Sequence, residues 1–91
     1  MGFTKESAVD AAKNDLAKRL KVNASEIDAS VSEVDFPDMS LGAAEKGEMS
    51  AQMIASGWKI GLSANGKSYE YRGDKYQLRL KGFEGRNVKV S

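Results

Sequence analysis

Histidine and cysteine are both absent from the 91-residue chain, and proline occurs once, at Pro37. Without cysteine there is no disulfide framework, no thiolate nucleophile and no cysteine-held zinc or iron–sulfur cluster. Without histidine there is no Ser-His-Asp triad, no imidazole metal ligand and no ordinary proton shuttle at neutral pH. No run approaches the ~20 apolar residues a membrane helix needs, and no charged start leads into a hydrophobic stretch as in a signal peptide. The glycines follow neither the dinucleotide nor the P-loop pattern. The ten serines include no Gly-x-Ser-x-Gly elbow, and a Ser-Lys dyad has no spacing signature here. The expectation is a single domain over residues 1–91, with no catalytic residue, metal or cofactor.

Charge is present in quantity but unevenly spread. The net charge is +1, yet residues 22–56 carry seven carboxylates against Lys46, and residues 57–91 carry eight bases against Glu70, Asp74 and Glu84. Such segregation marks either an interaction surface or two segments that pack together and neutralise each other.

The hydrophobic pattern gives an α+β fold, one amphipathic helix on a mostly antiparallel sheet. Ala8, Val9, Ala12, Leu16 and Leu20 recur at helical spacing, so residues 4–21 read as the helix, with Thr4 as N-cap and Phe3 as a hydrophobic staple. Residues 27–36 read as a strand whose apolar parity changes from Ile27, Ala29 and Val31 to Val34 and Phe36, which suggests a bulge near Ser32-Glu33. Residues 37–56 read as a long loop. Residues 57–81 read as a three-stranded meander. Asn65-Gly66 is a two-residue type I′ signal that sets Leu62 opposite Tyr69 and Ile60 opposite Tyr71. Gly73-Asp74 reads as a second two-residue turn, setting Tyr71 opposite Tyr76. Both turns place Trp58, Ile60, Leu62, Tyr69, Tyr71, Tyr76, Leu78 and Leu80 on one face, which the helix covers. A short strand at 86–90 follows.

The other face of the meander holds Lys59, Arg72, Lys75 and Arg79, with Lys59 opposite Arg72 and Arg72 opposite Lys75. This basic face suits an acidic protein or polymer. Nucleic acid is disfavoured, because the aromatics lie on the buried parity and offer no stacking platform. The cluster Asp28, Glu33, Asp35 and Asp38 lacks the spacing of a calcium loop. It reads more simply as charge guarding an exposed strand. In the loop, Met39, Met49 and Met53 are adaptable apolar groups suited to a groove or to core filling.

From Pro37 onward the run PDMSLGAAEKGEMSAQMIASGWKIGLSANGKSYEYRGD resembles a group of small exported bacterial proteins with a D-x-S-L-G…G-M…Q…G-Y-x-I-x-L…G-x-x-Y-E-Y pattern. Asp38, Ser40, Leu41, Gly42, Glu45, Gly47, Gln52, Gly57, Tyr69, Glu70 and Tyr71 stand at matching places. Ala43 stands where that group often has cysteine. The order of elements is also similar to PepSY-type domains, which are associated with protease inhibition or cell-surface regulation. The resemblance implies an extracytoplasmic location and supplies no reaction. Together these observations set the expectation of a monomeric, non-enzymatic binding module without a membrane span. Its surface would be the 38–52 loop (Asp38, Ser40, Gly42, Glu45, Gln52) beside Lys59, Arg72, Lys75 and Arg79. A protease inhibitor using the same loop is the alternative, and a carboxylate hydrolase a third.

Overall fold

The computed structural model describes residues 2–91. Helix α1 spans Lys5–Leu20, a 3-10 turn spans Ala24–Glu26, and five strands follow: β1 Asp28–Phe36, β2 Ala55–Ala64, β3 Lys67–Gly73, β4 Leu78–Phe83 and β5 Arg86–Lys89. The strands form one antiparallel sheet in the order β1-β2-β3-β4-β5. This is the α+β architecture the pattern implies. No described helix is long and apolar enough to cross a membrane.

The helix starts where the sequence places it. Thr4 adopts an extended conformation and its hydroxyl accepts from the Ser7 amide, while the Ser7 hydroxyl accepts from the Thr4 amide at 2.8 Å. This reciprocal cap satisfies two otherwise orphaned donors. Lys21 closes the other end in the left-handed region, donating its amide to the Ala17 carbonyl. Ala8, Ala12, Leu16 and Ala17 then pack on Ile60, Leu62, Tyr71, Leu78 and Leu80. Full burial of each large side chain in that set contributes roughly 1.5–3 kcal/mol. The small alanines let the helix sit close to the sheet. The Tyr71 hydroxyl donates to Asp15 at 2.7 Å, and Asp15 also holds Arg19. Burial is the main cause that pushes the phenol pKa up, with the Asp15 carboxylate adding to it.

Registers correct three sequence expectations. The Asn65-Gly66 turn is as expected, with positive φ at both residues, and Leu62 faces Tyr69 while Ile60 faces Tyr71. The second turn is longer: Gly73 pairs with Leu78 and Tyr71 with Leu80, leaving residues 74–77 as the connection. Asp74 explains this, because its carboxylate accepts from the amides of Tyr76 and Gln77 and its own amide donates to the Gln77 carbonyl. A side chain that mimics a backbone turn stabilises the wider loop over the two-residue one. Tyr76 is consequently 77% exposed rather than part of the sheet face, and Arg72 sits opposite Arg79, not Lys75. Leu78 and Leu80 keep their face, since the register moves by an even number of residues.

The third correction concerns β1, which carries no bulge. Its pairing with β2 runs unbroken from Asp28–Ser63 to Phe36–Ala55. The parity change arises because the strand serves two cores. Ile27, just ahead of it, joins the helix-side core, whereas Phe36 and Val34 pack with Leu41 and Ala55 on the other side.

Candidate functional site

The chain between β1 and β2 folds back over the second face of the sheet. Three donors converge on one Asp38 carboxylate oxygen: the Ser40 hydroxyl at 2.7 Å, the Ser40 amide at 2.9 Å and the Gly42 amide at 3.0 Å. The Ser40 hydroxyl, then the Gly42 amide, hold the Asp38 carboxyl below its ordinary pKa. This closes a tight turn in which Leu41 and Gly42 both have positive φ. The strain at Leu41 is offset by its complete burial against Phe36 and Ala55. At Gly42 a side chain would meet the Arg72 guanidinium. The Asp-x-Ser-Leu-Gly run is therefore a folding device: carboxylate, hydroxyl, apolar plug and permissive glycine.

The basic residues of the sheet face anchor this turn. Arg72 donates to the Leu41 carbonyl at 2.9 Å, pairs with Glu70 and lies over the Phe36 ring. Arg79, only 3% exposed, reaches the Ala43 carbonyl, Gln77 Oε1 and both carboxylate oxygens of Glu48. The Arg79 guanidinium, then the Glu45 amide, draw the Glu48 carboxyl down to about 2. Glu48 in turn raises the Arg79 pKa. Gln77 donates to the Met39 carbonyl and Asn87 to the Ala44 carbonyl, so the 39–48 segment is fixed along its length. Glu45 accepts from the outward-facing amide of Lys89 in β5.

The acidic and basic segments thus meet within the fold through the Glu48–Arg79 pair. Asp38, Ser40, Gly42, Glu45, Arg72 and Arg79 lie in one neighbourhood, but their polar groups are taken up by contacts within the fold. Arg72 and Arg79 are not free to steer an acidic partner. Gln52, Lys59 and Lys75 lie apart from this network: Gln52 and Lys59 are exposed, and Lys75 sits in the 74–77 turn, its carbonyl accepting from the Phe3 amide. The acidic cluster disperses too. Asp38 lies in its own turn, and Asp28 points to the opposite side of β1 from Glu33 and Asp35. Among the described residues no group of three potential ligands could hold a metal.

What remains open lies elsewhere. Residues 49–54 have no regular structure, and Met49, Met53 and Ile54 are 96%, 64% and 74% exposed. On the uncovered half of the second face, Lys59, Gly61, Ser30, Ser32, Ser68 and Glu70 line a shallow groove of about 450 Å³. Along the side of the molecule runs β1. Residues 28–33 and 35 are exposed, and among the described residues nothing but β2 bonds the strand's backbone. At the opposite edge of the sheet Glu45 caps β5. The charge on β1 was visible in the sequence, but the contact of Glu45 with β5 was not. Its only signal was a glutamate far from the strand it protects.

A family model described as a domain of unknown function, DUF8738, matches residues 9–80, from within α1 through β4. No curated protein and no solved structure matches the chain.

Proposed function

The chain belongs to that family, and we propose that it is a non-enzymatic interaction module that accepts an extended segment of a partner protein as a sixth strand against β1. The observation that carries this reading is the asymmetry of the sheet's two edges. β5 is four residues long and its outward Lys89 amide is satisfied by Glu45, whereas β1 is nine residues long, unbulged and uncovered. Folded proteins usually shorten, bulge or cover such an edge, because its free amides and carbonyls pair readily with another strand. Peptide recognition by strand addition uses this kind of edge. The domain itself serves as a monomer, with the Arg72 and Arg79 network holding the 39–48 segment against β3 and β4 and leaving the β1 edge open. An extracytoplasmic location belongs to the same proposal and is supported by the resemblance of residues 34–73 to exported proteins.

Peptides selected on the protein from a random library, followed by amide exchange, test the reading. Binding is expected to protect the outward-facing amides of residues 28–36. Protection confined to residues outside β1 overturns it. The exposed apolar residues of the 49–54 segment favour a second reading, a protease regulator that offers this stretch to an enzyme's cleft. Absence of inhibition at micromolar concentration across a panel of secreted proteases removes that alternative.

A further inference from the structure

We infer that the strand docked by β1 carries alternating basic side chains, two of them facing Glu33 and Asp35, and runs antiparallel to β1. This rests on the edge-docking reading and specifies its partner. β1 bears Asp28, Glu33 and Asp35 and not one basic residue, although the chain as a whole is slightly basic. Alternation divides the strand into two rows. Ala29, Val31, Glu33 and Asp35 share the side on which α1 lies, while Asp28, Ser30 and Ser32 share the other.

The first row is half apolar and half acidic. Val31 is 38% exposed and Ala29 is open as well, although α1 approaches β1 as well as β2. Among the described residues Lys5 is the one cation paired with Glu33, at 3.7 Å, and both side chains are well exposed. Such a pair is weak and easily exchanged for an incoming base. Among the described residues Asp35 accepts only from the Ser56 hydroxyl. A strand running antiparallel, like every other pair in the sheet, would meet Asp35 first, then Glu33, Val31 and Ala29. The complementary sequence is therefore basic, any, basic, any, apolar, any, apolar. Opposite charges directly across a ladder favour pairing, and like charges oppose it.

The same pattern argues against a second copy as the occupant. Two β1 strands side by side bring three carboxylates from each copy onto one seam, and β1 itself supplies no base to offset them. The basic β5 of another copy is closed by its own Glu45. Steering by the acidic row also predicts that docking weakens as salt rises.

The test uses two synthetic peptides, Lys-Thr-Lys-Thr-Val-Thr-Val and its counterpart with glutamate for lysine. Binding is read by fluorescence anisotropy with the wild type and with E33K/D35K. Both substituted side chains are solvent-exposed, and the amide spectrum of the variant checks its fold. The lysine peptide is expected to bind the wild type at least ten-fold tighter, and the variant to reverse the order. Equal binding of both peptides with β1 amides protected overturns the basic-partner inference while leaving edge docking intact. Binding of neither, when library-selected peptides also leave β1 unprotected, removes the edge-docking reading itself. Concentration-dependent self-association through β1, seen by sedimentation, overturns the inference in favour of a second copy.

Discussion

Truncating Glu48 to alanine isolates the interaction that holds the 39–48 segment on the sheet. Arg79 is 3% exposed and Glu48 27% exposed, and the two share a bidentate contact. Removing the carboxylate leaves the guanidinium with Gln77 Oε1 at 2.7 Å and the Ala43 carbonyl at 3.3 Å, and no counter-charge at either Nη atom among the described residues. Breaking a buried pair in this way costs about 3–5 kcal/mol. The two surviving acceptors and the partial exposure of Glu48 put this case near the lower end, about 3 kcal/mol. A domain of this size has a total stability of about 5–15 kcal/mol. Its melting temperature falls about 4–8 °C per kcal/mol, so Glu48→Ala should melt more than about 10 °C below wild type. Replacing both partners, as E48M/R79M, should cost less than Glu48→Ala alone, because no buried charge is then left unpaired. Urea denaturation of the wild type, both singles and the double variant gives the coupling energy. A cost below about 1 kcal/mol for Glu48→Ala, or strictly additive singles, would refute the reasoning.

Acid should unlock the same segment. The Glu48 carboxyl lies at about 2 in the folded chain against an ordinary 4.5, so its contribution is complete above the ordinary value and is lost as pH falls from about 4.5 towards 2. Asp38, also lowered, adds loss in the same direction, and an E48Q variant should show a flatter stability profile over that window by circular dichroism. Gly42→Ala should destabilise by about 2 kcal/mol in denaturant titrations, combining a left-handed backbone cost of about 1–2 kcal/mol with displacement of Arg72 from the Leu41 carbonyl. Thr4→Ala should cost about 1 kcal/mol through loss of the helix cap, with no change in peptide binding at β1.

The helix and the first hairpin were legible because each is encoded locally. Thr4 and the alanine–leucine stripe fix one, and Asn65-Gly66 with alternating apolar residues fixes the other. The second turn was misread because Gly73-Asp74 satisfies a two-residue rule as well as a longer one. Only the Asp74 carboxylate, by accepting from two amides, selects between them. The parity change in β1 was visible, but its cause was not, since Leu41 completes the second core from a loop whose path sequence periodicity cannot follow. For the same reason Arg72 and Arg79 looked like free surface charge. Their acceptors are mainly loop carbonyls and Glu48, about thirty residues away in the chain. The charge segregation itself was plain. Whether it served a partner or the fold depended on that long-range packing.

Amide hydrogen exchange resolved by residue tests the account most directly, because it reads the 39–48 segment and both edges at once. The account requires slow exchange at Gly42, Ala43 and Lys89, whose amides donate to Asp38, Ser40 and Glu45. Along β1 it requires alternation: every second amide protected by β2, and the outward ones exchanging almost as fast as in an unstructured chain. Uniform protection of residues 28–36 in the isolated protein, or fast exchange at Gly42 and Ala43, would contradict it.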